Sequence, residues 1–148
     1  MAIKIVMGPS CAGKSTFIKE TFPQATVIDL FNFQKDFMSI NEIMQSYIDC
    51  KDALISTIKE GKDVVLEHTL LKAKRRPMYI DAIREITDEP INIYVVMPDS
   101  DTYLEFSQKR KCEMTKEMID IMYDTLEIPT LDEGFSNIYI IKPQIKKQ

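Results

Sequence analysis

The chain has 148 residues, 45% of them hydrophobic and 28% charged, which is enough apolar material for one buried core and excludes a low-complexity chain. A formal net charge of −4 gives no overall pull toward nucleic acid or an anionic membrane, and no apolar run approaches the ~20 residues needed to cross a bilayer. The three cysteines fit neither a metal site nor a disulfide framework and no secretory leader is evident, so a reducing cytoplasm is the expected setting.

Ile3-Lys-Ile-Val-Met7 reads as a buried strand. Directly behind it, Gly8, Pro9, Ser10, Cys11, Ala12, Gly13, Lys14 and Ser15 fit the P-loop pattern Gly-x4-Gly-Lys-Ser/Thr. In that pattern backbone N–H groups surround nucleotide phosphates at the start of a helix, here Lys14 to Glu20 with Thr16 in its first turn. Lys14 is expected to reach the β- and γ-phosphates of ATP, and the Ser15 hydroxyl to ligate Mg²⁺. Cys11 lies near the helix N-terminus, where a thiol pKa falls, so its oxidation or alkylation is expected to block ATP.

After a break at Pro23, Ala25 to Leu30 reads as a short strand with Asp29 at its C-terminal end. A carboxylate there could take a proton from a substrate hydroxyl, or it could cap the next turn. From Ile40 through Ile43, Met44, Tyr47, Ile48, Leu54, Ile55 and Ile58 the apolar spacing predicts the longest helix, stopped at Gly61, its Met and Tyr members packing into the core. Lys62 to Glu67 supplies a third strand ending in a carboxylate, which either assists Mg²⁺ or sits at a surface edge. His68, the only histidine, either contacts substrate or makes a local hydrogen bond.

Lys72, Lys74, Arg75 and Arg76 form the densest basic cluster, facing phosphate or solvating a helix start. Pro77 opens a helix through Ile80, Ile83 and Ile86, and Ile91 to Met97 is a fourth strand. Ser100 or Asp101 caps a helix running toward Lys109-Arg110-Lys111, where Arg110 is the residue suited to bidentate phosphate binding. Another helix starts near Thr115, and Asn137 to Ile141 is the fifth strand. Strands alternating with helices predict a three-layer α/β/α P-loop NTPase fold, a mostly parallel five-stranded sheet in one domain spanning residues 1–148. The P-loop, Asp29 and Glu67 are then expected at one sheet edge.

These residues resemble the small P-loop kinases related to polynucleotide 5′-hydroxyl kinases. Beyond the P-loop, the likeness lies in Val64 to Thr69 followed by Lys74 to Ile80, in Met122 to Thr130 with Glu133-Gly-Phe135, and in Arg110, which matches the second arginine of the family's lid helix. The resemblance implies an ATP- and Mg²⁺-dependent phosphotransferase with Lys14, Asp29 and Arg110 as catalytic residues. Its acceptor would be a hydroxyl on a polynucleotide 5′ end or on a small metabolite or nucleoside. Alternatives are a nucleotide-hydrolysing or nucleotide-binding protein without an acceptor. The chain departs from the family at Cys11, where glycine is common, at Glu67, usually Asp, and at Phe106, which replaces the first lid arginine. No arginine follows Asp29 closely, although the polynucleotide kinases use one to bind acceptor phosphate.

Overall fold

The computed structural model describes residues 1–144. In chain order it contains β1 (Ile3–Met7), α1 (Lys14–Thr21), β2 (Thr26–Asp29), α2 (Ile40–Lys59), β3 (Val64–His68), α3 (Pro77–Arg84), β4 (Ile91–Val96), α4 (Ser100–Lys109), α5 (Lys116–Thr125) and β5 (Asn137–Ile141). Short 3₁₀ turns at Leu30–Phe33, Ala73–Arg75 and Leu131–Glu133 join them.

The strands form one sheet in the order β2-β3-β1-β4-β5, and every pairing is parallel. β1 therefore lies at the centre, flanked by β3 and β4, and its apolar residues alternate between two cores. Ile3, Ile5 and Met7 join Cys50 and Leu54 of α2 and Tyr79, Ile80 and Ile83 of α3 on one face. Val6 joins Ile18 of α1, Tyr103 of α4 and Ile119 of α5 on the other. A strand buried on both faces is mostly apolar on both, which is why β1, β3 and β4 are mainly hydrophobic, with Lys4, Glu67, His68 and Asn92 as the exceptions. The α/β/α layering and the parallel sheet are as the sequence predicts.

Local signals mark the helix starts well. Ser39 and Glu42 form a reciprocal capping box at the head of α2, with both hydrogen bonds at 3.1 Å, a device worth about 1 kcal/mol. Thr115 caps α5 through Met118 N at 3.2 Å. Pro77 occupies the first turn of α3, where its missing N–H costs nothing. The cap of α4 is Asp99 rather than Ser100 or Asp101. Ile40, counted with the apolar face of the long helix, is 80% exposed, because in the first turn it projects beyond the sheet the helix covers.

Candidate active site

The P-loop owes its path to close packing. Gly8 leaves β1 against β4 so tightly that a Cβ would lie 2.5 Å from the backbone oxygen of Val96. Gly13 adopts φ 104 at the head of α1, a left-handed conformation natural to glycine. Cys11 also turns left-handed, at φ 65, so the position where the family commonly has glycine bears the strain of a side chain. Ala12 is fully buried and its N–H closes the turn on Pro9 O at 3.3 Å.

Lys14 crosses back over the loop and donates from Nζ to Gly8 O at 2.8 Å. Burial lowers its ammonium pKa to about 8, while the carboxylates of Glu67 and Asp29 push the other way. Beside it the Ser15 hydroxyl donates to Glu67 Oε2 at 2.9 Å. Glu67 lies near the C-terminal end of β3 and is 8% exposed. Burial raises its carboxyl pKa, with the hydrogen bond from Ser15 opposing and the charge of Asp29 adding to the rise.

Asp29 closes β2 and pairs directly with Glu67 across the parallel ladder. Its Oδ1 accepts from Phe31 N at 3.0 Å, capping the 3₁₀ turn, and its side chain also lines the cavity over the P-loop. The capping reading of Asp29 is therefore met, and the same residue borders the cavity. That cavity, about 480 Å³, is bordered by Ser10, Cys11, Gly13, Lys14, Ser15, Thr16, Asp29, Glu67 and Arg110. Gly8, Pro9 and Ala12 shape the loop from behind it. Leu30, Phe31, Gln34, His68 and Thr69 complete the wall. Phe31 and Gln34 carried no signal beyond their nearness to Asp29, because an exposed aromatic or amide in a loop has no pattern of its own.

Arg110 caps α4 and reaches Thr16 Oγ1 with Nη2 at 3.3 Å. Its guanidinium lies 5.3 Å from the ring centroid of Phe106. Phe106 thus packs its ring against the Arg110 guanidinium. It also helps line a second cavity of about 550 Å³ on the far side of Arg110, with Gly13, Thr16, Phe17, Ile141 and Pro143. Sequence reasoning missed this cavity, since its walls come from three separated segments.

Two expectations are corrected. Cys11 is bonded to Cys112, 101 residues away, with their Cα atoms 6.7 Å apart, so the loop carries a disulfide and not a free thiol of low pKa. A cysteine count cannot show a pairing that only the fold of α4 over the loop brings about. The basic segment, in turn, neither lines the phosphate cavity nor forms a uniformly solvated face. Arg76 is 1% exposed, donates Nε to Leu70 O at 3.1 Å, and pairs Nη1 with both oxygens of Glu133 at 3.0 and 3.1 Å, while Nη2 bonds Glu127 O. Lys72 donates to Thr125 O at 2.7 Å, and Arg75 lies over the ring of Tyr47 at 5.8 Å. A buried guanidinium needs acceptors for its donors, and here Leu70 O, Glu127 O and the two Glu133 oxygens supply four. His68 makes the local bonds expected of it: Leu70 N donates to Nδ1 at 3.2 Å, which leaves Nε2–H to donate to Tyr79 Oη at 2.8 Å. Burial, followed by the nearby Lys14 charge, lowers its pKa to about 3, so the ring is neutral.

No family model matches the chain, and no curated protein matches it by sequence. Solved structures do match, among them sugar kinase, gluconokinase and shikimate kinase structures. A sugar kinase from Janibacter sp. superposes with a TM-score of 0.66 at 14% identity, over 95% of this chain and 85% of that one. A gluconokinase from Sinorhizobium meliloti gives 0.65 at 18% identity, over 95% and 82%. A chain of the Pnkp1/Rnl/Hen1 RNA repair complex gives 0.63 at 17% identity, over 84% of this chain and 43% of that one. At these identities the likeness establishes the three-layer α/β/α P-loop fold.

Proposed function

We propose that this protein is a Mg²⁺- and ATP-dependent kinase that transfers the γ-phosphoryl of ATP to a hydroxyl group of a small acceptor, a metabolite or nucleoside. One observation carries the reading: Lys14, Ser15, Glu67 and Asp29, from three elements, border a single cavity at the C-terminal edge of the sheet. A phosphate grip alone needs no second carboxylate beside it; phosphoryl transfer to an alcohol needs a group to take the proton. The acceptor oxygen attacks the γ-phosphorus, the β–γ bridging bond breaks toward ADP, and the hydroxyl proton passes to Asp29. Lys14 and Arg110 offset the charge that gathers on the transferring group and the leaving phosphate.

The donor set beside the P-loop is one hydroxyl and adjacent carboxylates, all hard oxygen ligands, and this chemistry fits Mg²⁺. Ser15 and Glu67 would hold it, and the ion would supply charge neutralisation for the phosphates. The second cavity, walled by Arg110 and Phe106 on one side and Pro143 on another, suits the flat adenine ring. A cytoplasmic setting, where ATP is abundant, and one kinase domain over residues 1–148 accompany this reading.

The small acceptor is favoured because Lys72, Lys74, Arg75 and Arg76 do not border the phosphate cavity. A polynucleotide end would need cations there to meet its own phosphates. The deciding experiment incubates the protein with γ-labelled ATP and a panel of nucleosides, sugars, sugar acids and 5′-hydroxyl oligonucleotides. Label on a small alcohol supports the proposal; release of phosphate alone supports nucleotide hydrolysis, and transfer to oligonucleotides that weakens steeply with salt supports the polynucleotide reading.

A further inference from the structure

Helix α4 is held to the P-loop at three points. The Tyr103 hydroxyl donates to Ser10 O at 2.5 Å, Arg110 reaches Thr16 at 3.3 Å, and just past the helix Cys112 is bonded to Cys11. The first two are hydrogen bonds that open and close freely; the third opens only by chemistry. Backbone at both sulfurs is unusual for residues with side chains. Cys11 has φ 65, and Cys112 lies between Lys111 at φ 56 and Glu113 at φ 55. Left-handed non-glycine residues persist where surrounding contacts hold them. On the Cys112 side those contacts are Cys112 N to Ser107 O and Met114 N to Ser107 Oγ, both 2.9 Å. Cys11 and Cys112 are partly exposed, whereas Cys50 is fully buried, so the pair is the part of the cysteine set open to exchange reagents.

We infer that Cys11 and Cys112 form a redox lock on nucleotide exchange. When oxidised, the bond ties the end of α4 to the P-loop and keeps Arg110 over the phosphate cavity. When reduced, the Arg110–Thr16 hydrogen bond opens, the end of α4 swings clear about the Tyr103–Ser10 contact, and nucleotide enters and leaves. The lock rests on reading Gly8 to Ser15 as a nucleotide site. It closes by thiol–disulfide exchange with a small-molecule disulfide. One cysteine thiolate attacks that disulfide and expels a thiolate, then the second cysteine thiolate attacks the mixed disulfide and expels the other. The two protein thiols lose two protons and two electrons, and the small disulfide receives the electrons as two thiolates. A small dithiol reverses both steps. Because lid opening limits product release in many enzymes, the bond slows rates in both directions more than it changes affinity.

The test follows dissociation of a fluorescent ADP analogue by stopped flow. It compares wild-type protein with its disulfide verified by peptide mapping, the same protein after dithiol treatment, and Cys112→Ser with and without dithiol. The oxidised form is expected to release nucleotide about tenfold or more slowly than the reduced form. Cys112→Ser is expected to release at the reduced rate in both conditions, and Cys112→Ala provides the same comparison where serine perturbs the loop. Equal release from verified oxidised and reduced wild type overturns the lock while leaving the kinase reading standing. A disulfide that only raises the denaturant midpoint, with release unchanged, overturns it too. Absence of nucleotide binding in every form overturns the lock together with the nucleotide site beneath it.

Discussion

The two sides of the cavity are built on different principles. On the phosphate side nearly every position is set by backbone sterics and burial: Gly8 against Val96, Ala12 in the core, Lys14 bonded to Gly8 O, and α4 anchored above. The opposite side, where we propose the acceptor binds, is a 3₁₀ turn whose Phe31 is 77% exposed and whose following loop carries Phe37 at 90% exposed. A site that grips an invariant group such as triphosphate can be rigid and local in sequence, whereas the site that selects an acceptor is made of loop side chains. The basic segment, which looked like a third partner in recognition, belongs instead to the internal framework through Arg76 and Glu133.

Four measurements break or sharpen that contrast. The largest effect is expected from Asp29→Asn, which removes the proposed proton acceptor while keeping the side chain's size. Turnover should fall by about 10²- to 10⁴-fold with ATP affinity little changed, and unchanged turnover in a steady-state assay would falsify the role of Asp29. Arg76→Ala should lower stability by about 3–5 kcal/mol, because it strands Glu133 and two backbone carbonyls without their donor. The readout is the urea midpoint; a variant of normal stability that has lost acceptor affinity would return the segment to substrate recognition.

Lys14→Ala should reduce phosphoryl transfer by about 10²- to 10³-fold, the cost of one preorganised charge at the transferring group. ATP binding measured by calorimetry should weaken alongside it, and if neither changes the phosphate side is misread. The smallest effect concerns pH. Lys14 must be charged to meet phosphate and in the free protein loses its proton near pH 8, since burial lowers its pKa. ATP affinity should therefore be constant below about pH 8 and fall by up to about tenfold per unit above it, or about 1.4 kcal/mol. Lys14→Arg, which stays charged, should bind ATP with affinity level through that range; a persistent decline in that variant points to another titrating group.

Much of the fold was legible because its signals are local. A glycine pattern behind an apolar run, capping residues such as Ser39 and Thr115, and short hydrophobic runs separated by amphipathic helices are each decided within a few residues. Asp29 and Glu67 could be picked out at strand ends for the same reason. Their adjacency could not, since it depends on β2 and β3 being neighbours in register.

The sequence by itself determined the α/β class, the phosphate loop and the identity of the acidic strand ends, because steric and hydrophobic rules at short range suffice for these. Tertiary structure alone decided three other matters: that Arg76 is neutralised by Glu133, 57 residues on; that Cys11 meets Cys112; and that Phe106 and Pro143 wall a second cavity beside the loop. Each depends on contacts between segments far apart in the chain. Whether a cation faces a substrate or its own protein's carboxylate is settled by which side chains packing brings within about 3 Å of it.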